Sequence, residues 1–247
     1  MFESKAGILW VAGLGFFALA FVSNAVVPAL MYKDLKEQTV EELINPNLRL
    51  QFEDLYRRYP DTFKEAFGEP PGGEDVDNAW WDEQCAKALR MGHKIYVGEG
   101  CWHCHSQFIR PVSNEEERWG PVSRSEEYAN ELQRPVLFGT RRVGPDLCRE
   151  GGRRSNDWHA VHFFRPEDLS VGSPMPEYPW LFDGASNRPN ARGLAIITYV
   201  QWLGSWQESY PYYEDYVSSP MSEMDVTEAT TASDSSDSGS GNDGGAE

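Results

Sequence analysis

Apolar and polar positions fall into three regimes along the chain. Ala6 to Tyr32 is an uncharged run of 27 residues between Lys5 and Lys33, rich in Leu, Phe, Val and Ala. A helix rises about 1.5 Å per residue, so this run can span the ~30 Å hydrocarbon layer with some tilt. Trp10 and Tyr32 lie near its ends, where amphipathic rings prefer the headgroup level, and Pro28 falls where a kink costs little. Val22-Ser23-Asn24-Ala25 faintly resembles a signal cleavage site, but the apolar run continues past it and the charge before it is weak. An uncleaved anchor is the better reading.

Tyr32 to Asn78 is charged and interrupted. Val40–Ile44 and Leu48–Tyr59 read as short amphipathic helices with Pro46 and Pro60 as breaks, and Phe63 and Phe67 can pack one further turn. Glu69-Pro70-Pro71-Gly72-Gly73 signals a linker, so this stretch reads as a spacer or a partner-contact arm. From Trp80 to Gly100 the spacing predicts a helix, with Ala86, Leu89, Ile95, Tyr96 and Val97 on its apolar face and His93 as a partly exposed helix residue. A second helix is predicted over Arg192 to Trp206. Gly92 and Tyr96 on the first, against Tyr199 and Leu203 on the second, suit a close crossing. Between them Gly and Pro are frequent and periodicity is poor, as where a chain wraps something other than its own side chains. From about Ser218 onward the sequence is Ser/Asp/Gly-rich, with too little apolar content to offset the entropy of ordering.

Charge changes the picture in one respect. The net charge is −17, and seven acidic residues with no basic ones lie between Met221 and Glu247. Nucleic-acid binding is excluded as a function class. An acidic tail could lure a basic electron carrier, but a solvated terminus is the simpler reading. After Lys94 every basic residue is an arginine, whose planar fork suits carboxylates and buried pairs better than lysine does.

The chemistry is concentrated in Cys101-Trp102-His103-Cys104-His105. Cys-x-x-Cys-His is the attachment sequence of c-type haem. Two thiols one helical turn apart can add across the vinyl groups of one porphyrin edge, and the following histidine gives the iron an axial nitrogen. A redox dithiol would want a βαβ pattern, which is not visible; zinc would want a second Cys/His pair, and Cys85 and Cys148 stand alone. Those two are either free thiols or one bridge. The second axial ligand is sought among Met175, Met221, Met224, His159 and His162. Met221 and Met224 lie in the acidic tail. Met175, in Ser173-Pro174-Met175-Pro176, offers a soft thioether on stiff backbone and is the preferred ligand. His/Met ligation raises the haem potential relative to His/His and closes the iron to exogenous ligands, which points to electron transfer. A carbonyl from Gly144-Pro145-Asp146-Leu147 can fix the His105 tautomer, and Arg141 or Arg142 is expected near a haem propionate. Haem is attached outside the bacterial cytoplasmic membrane, so the C-terminal part is expected in the periplasm.

Cys101 to Pro111, reading CWHCHSQFIRP, resembles the haem segment of subunit II of cbb3-type cytochrome c oxidases, the monohaem, membrane-anchored FixO/CcoO family. Gly139 to Leu147, Asp157-Trp158-His159 through His162, and Met175-Pro176-Glu177-Tyr178-Pro179-Trp180-Leu181 are similar to later segments of the same family. The resemblance implies one haem c on Cys101 and Cys104 with His105/Met175 ligation. It implies a non-catalytic electron-transfer subunit beside a haem–copper catalytic subunit, receiving electrons from a dihaem cytochrome c subunit or a soluble cytochrome c. Dioxygen reduction and proton pumping belong to the partner. The family's Gly-Ser-Lys-Arg stretch, near a calcium ion at the interface, reads Gly139-Thr140-Arg141-Arg142 here, which weakens the calcium expectation. A nitric oxide reductase-like subunit and a free-standing membrane cytochrome c share this architecture and are the alternatives; a thiol–disulfide enzyme and a haem sensor come from other classes.

The expected organisation is mainly α: an anchor over 1–33, a helical spacer over 34–79, a class I-like cytochrome c domain over 80–217 and a disordered tail over 218–247. Deletion of Met221 to Glu247 is expected to leave assembly and the haem spectrum intact. Absorbance and native electrophoresis of the truncated protein check this.

Overall fold

The computed structural model describes residues 2–72, 78–139 and 141–207 of the chain. The acidic tail, with Met221 and Met224, and Thr140 lie outside the described residues. The described residues are mainly helical, without a named strand; the extended pairing is two isolated bridges, Gln38–Asn130 and Phe182–Pro189.

Helix α1 (Phe2–Phe21) passes through a π-helical turn (Val22–Val26) into α2 (Val27–Met31). The 27 residues from Lys5 to Met31 are long and apolar enough to cross a membrane, and Ile8, Leu9, Trp10, Phe16 and Leu30 are exposed along them. Pro28 falls where a kink costs little, and a π turn lies just before it. Proline cannot donate to the carbonyl four residues back, and its ring crowds that carbonyl. A wider turn just before Pro28 relieves the crowding, with the Val27 N–H bonded to the Val22 carbonyl. Ser23 Oγ donates to the Leu19 carbonyl (2.8 Å) and Asn24 Nδ2 to that of Ala20 (2.9 Å), so both polar side chains are satisfied inside the apolar run.

Beyond the anchor, Val40 to Leu43 is a turn rather than the short helix the pattern suggests. Asn45, which precedes Pro46, must be extended (φ −114°, ψ 166°), and no helix can run through it. Both prolines then start helices instead of breaking them: α3 (Pro46–Arg58) and α4 (Pro60–Phe67) each carry proline in the first turn, where its missing N–H is not needed. Asn45 caps α3 by accepting from the Leu48 N–H (3.0 Å).

These two helices are core, not a free spacer. Phe52, Phe63 and Phe67 pack with Trp81 of α5 (Asn78–Gly98) in one aromatic cluster, with Phe52–Phe63 centroids 4.9 Å apart and Phe52–Trp81 6.1 Å. Each such pair contributes roughly 0.5–1.5 kcal/mol beyond area burial. Arg49 grips Asp82 with two hydrogen bonds of 2.9 Å, tying α3 to α5. Upstream, the Gln38 N–H donates to the Ala129 carbonyl (2.8 Å), Glu37 pairs with Arg134 (2.9 Å) and Glu41 with Arg90 (2.9 Å).

The longest helix, α5, crosses the last described one, here α8 (Ala191–Trp202), with α6 (Glu115–Trp119) and α7 (Asn156–Phe164) on the intervening chain. The crossing is as close as the sequence suggests. A Cβ on Gly92 would stand 2.2 Å from the Ala195 carbonyl oxygen and 2.6 Å from Tyr199 Cβ, so only hydrogen fits there. Tyr96 and Tyr199 pack beside it with centroids 5.2 Å apart, and His93 leans on Tyr199 at 5.7 Å. Helix α8 stops at Trp202, short of Trp206, where Leu203 turns out of helical geometry and its carbonyl accepts from the Gly151 N–H.

Gly92→Ala is expected to destabilise the fold by about 2 kcal/mol or more, because the clash is with backbone and cannot be relieved by a rotamer change. Thermal or denaturant unfolding of the purified variant checks this.

Candidate haem site

Two residues past the end of α5, Gly100 adopts the left-handed φ of +70° and turns the chain into a second, tighter helical turn over Cys101–His103. Inside that turn the His105 N–H donates to the Cys101 carbonyl at 2.9 Å and the Cys104 N–H at 3.2 Å. Cys101 is buried and Cys104 exposed, and all four cysteines are free thiols, so Cys85 and Cys148 form no bridge with each other. Burial pushes the Cys101 thiol up to about 12. The motif is fixed from below by Tyr96, whose hydroxyl donates to the His105 carbonyl (2.9 Å). Gln107, wholly buried, exchanges hydrogen bonds with the Tyr199 hydroxyl (3.1 and 3.2 Å) and so ties the motif to α8.

His105 is oriented by the chain expected to do so. Its Nδ1 lies 2.9 Å from the Pro145 carbonyl oxygen. A carbonyl can only accept, which assigns the proton to Nδ1 and leaves the Nε2 lone pair free. Gly144 lies flat against the ring: a Cβ there would stand 2.2 Å from His105 Cε1. Burial lowers the basicity of His105, opposed by the bond to Pro145.

Two other segments converge on this ring and its cysteines. On α7, His162 stacks on Trp158 (centroids 4.5 Å) and lies close enough to His105 for their charges to repel. Burial, and then that repulsion, pushes its pKa down to about 4. His159 is buried beside it, pushed down to about 3 by burial first. Buried His159 Nε2 and His162 Nδ1 have no hydrogen-bond partner among the described residues. The segment carrying Met175 is joined to the end of α7 by the Tyr178 N–H, which donates to the Phe163 carbonyl (2.9 Å). Tyr178 is buried and its phenol faces Cys101; burial first, and that thiol second, raise its pKa. Met175 itself is half-buried against the core, its N–H on Ser173 Oγ (3.3 Å).

Such a donor set suits c-type haem. Two free thiols one turn apart stand beside an imidazole whose outer nitrogen is free, and two buried imidazole nitrogens with unmet hydrogen-bonding capacity lie on the helix facing it. Among the described residues no group of three or more His, Cys, Asp or Glu side chains could hold a metal ion by itself.

Arg142, expected near a propionate, is bonded to protein acceptors. Its guanidinium bonds Glu115 (2.8 and 3.1 Å), the Phe108 carbonyl (2.6 Å) and Asp146 Oδ2 (3.3 Å). Arg141 is exposed and has no ion-pair partner among the described residues. A second inward arginine, Arg149, pairs with Glu127 at 2.6 Å. Sequence reasoning missed Glu99, Tyr178, Glu115 and Glu127 as organisers, since each meets its partner only through the tertiary fold.

Burial raises the pKa of Asp146, with the Cys148 N–H and Arg142 working against it. Burial works in the same sense on Glu115, but Arg110 and Arg142 outweigh it and hold that carboxyl below its ordinary value. Arg142→Ala would leave both carboxylates without this counterion and is expected to cost about 3 kcal/mol at neutral pH. A carboxyl whose folded pKa is raised contributes most below its unfolded pKa and loses that contribution as pH rises through the folded one. Removing Arg142 raises the folded value of Asp146 further and lifts that of Glu115 from its lowered position, so the deficit should shrink as pH falls and the carboxyls protonate. Unfolding of both proteins across mildly acidic to neutral pH checks the sign.

No curated relative matches the chain. Residues 85–238, more than half of the sequence, match the family described as "Cytochrome C oxidase, mono-heme subunit/FixO". The match begins within α5 and takes in the cysteine motif, the Pro145 turn, α7, the Met175 segment and α8, the same elements that converge around His105. With its apolar N-terminal helix, which fits a membrane-anchored protein, this chain belongs to the FixO family, the monohaem cytochrome c subunits of cbb3-type cytochrome c oxidase.

Proposed function

We propose that the chain carries one covalently bound haem c and relays electrons through it to the oxidase. The observation that carries this reading is the His105 imidazole, held by the Pro145 carbonyl at 2.9 Å with its other nitrogen free, directly after two free cysteines. Cys101 and Cys104 would hold the porphyrin by thioether bonds, and His105 Nε2 and the Met175 thioether would ligate the iron. Bound in this way, the haem supplies a one-electron couple. Carbonyl binding at Nδ1 keeps His105 in the ligating tautomer and makes its Nε2 a stronger donor. The thioether favours the reduced form relative to a second imidazole. Prolines on both sides of Met175 limit the freedom lost in holding it in place.

His159 and His162 are the nitrogen alternatives to Met175, and His162 lies near His105. Met175 is preferred because its segment is fastened to both the cysteine motif and α7, whereas His159 and His162 sit on a helix whose backbone is already fixed.

Membership in the family supports a position within the oxidase complex. On this reading the haem-bearing part lies in the periplasm, electrons arrive from a dihaem cytochrome c subunit or a soluble cytochrome c, and they pass to the haem–copper catalytic subunit. This chain performs no dioxygen chemistry. Calcium is not part of the proposal: Arg110 and Arg142 together already balance Glu115 and Asp146, the carboxylates beside the Gly139–Arg142 stretch.

The test is spectroscopic. Wild-type haem should stay with the polypeptide after denaturation and should not bind carbon monoxide when reduced. Met175→Leu should keep the covalent haem, lower the reduction potential and admit carbon monoxide. An unchanged redox titration in that variant would remove Met175 from the iron.

A further inference from the structure

We propose that Glu99 is a positioning residue that latches the Met175 segment to the haem motif through Trp180; this rests on the His105/Met175 reading. Glu99 lies two residues before Cys101, in the turn that closes α5. One of its oxygens, Oε1, accepts from Trp180 Nε1 at 2.9 Å and from the Arg192 guanidinium at 2.8 Å. These partners lie 81 and 93 residues away in sequence. A single carboxylate thus joins the end of α5, the Met175 segment and the start of α8.

Burial does not fix Trp180, since the side chain is 49 % exposed. Its position is set by an edge-on contact with the Tyr178 ring (centroids 5.5 Å) and by polar contacts: the indole N–H on Glu99, and the Trp180 carbonyl, which accepts from Asn190 Nδ2 at 3.0 Å. An indole has one donor and no acceptor, and a carboxylate is its strongest available partner. The Glu99 side chain is largely shielded (18 % exposed), which limits competition from water.

Met175 lies five residues before Trp180, and the chain between them is Pro176-Glu177-Tyr178-Pro179. Two of those four φ angles are locked by pyrrolidine rings, so the segment behaves as a strut. Tyr178 braces its middle, with its N–H on Phe163 and its phenol facing Cys101. Holding the Trp180 end therefore restrains the Met175 end. With the latch open, the thioether would leave the iron more often.

The experiment uses the full chain, purified with its haem in detergent. The readouts are the rate at which imidazole displaces the ligand of the ferric protein, the long-wavelength charge-transfer absorption that reports sulfur on ferric haem, and the reduction potential. Glu99→Leu and Trp180→Phe are each expected to speed imidazole binding by about tenfold, the factor that one charge-assisted hydrogen bond is worth. Both should also weaken the charge-transfer band and lower the potential. Glu99→Gln keeps an acceptor for the indole and should recover most of the wild-type rate. If Glu99 were only structural, Glu99→Leu would lower the thermal midpoint and leave the imidazole rate unchanged, and that result overturns the proposal. A wild-type protein without the charge-transfer band would overturn the methionine reading and this proposal together. A wild-type band with unchanged rates in both variants would overturn the latch alone.

Discussion

The contact between Gly92 and the Ala195 backbone is the constraint from which the rest of the site follows. With no side chain at residue 92, α5 and α8 approach until the backbone of one meets the backbone of the other, and no other residue allows that separation. The approach fixes where α5 ends and therefore where the cysteine motif begins. It also fixes where α8 begins, and with it Asn190 and Arg192, which hold the segment after Met175. Two stretches about eighty residues apart are thus placed by one interhelical distance. Tyr96 and Tyr199, flanking the crossing, convert that distance into hydrogen bonds to the motif itself, at the His105 carbonyl and at Gln107.

Around this frame the polar groups are arranged by what each can accept or donate. The Pro145 carbonyl takes the His105 N–H and so decides which nitrogen is free. Arg142 and Arg149 lie inward, each against carboxylates, and take up charge that would otherwise be costly to shield from water. Burial keeps His159 and His162 neutral, with nitrogens still able to bond. The interior of this domain is therefore a set of matched polar pairs beside an aromatic core, with little of the regular apolar periodicity of a helical bundle.

Much of this was legible in the chain because it depends on local spacing. The 27-residue apolar run, the cysteine motif, the two long helices and the small residue at their crossing are all set by neighbours in sequence. Even the carbonyl for His105 could be assigned to the Gly144–Leu147 turn, since a proline turn exposes its carbonyls. What was not legible depends on partners far away in sequence. Phe52, Phe63 and Phe67 look like a polar spacer's occasional aromatics until Trp81 is placed against them. Arg142 offers no local sign that it will turn to Glu115, because the 26 residues between them have no regular period. Pro46 and Pro60 read as breaks for a different reason: proline ends one helix and begins the next by the same chemistry, and periodicity alone does not tell which.

Folding of Pro46–Phe67 into the core leaves the domain on a short leash. Helix α2 ends at Met31, and the chain is already fastened by Glu37 to Arg134 and by Gln38 to Ala129. Tyr32 to Lys36 is all that remains between, a reach of no more than roughly 20 Å even if pulled straight. A redox domain with so little slack cannot sweep across the membrane surface to collect electrons from distant donors. On the proposed reading it is a fixed station: carriers must come to it, and its distance to the next centre is set by the geometry of the assembly rather than by the diffusion of a tethered head.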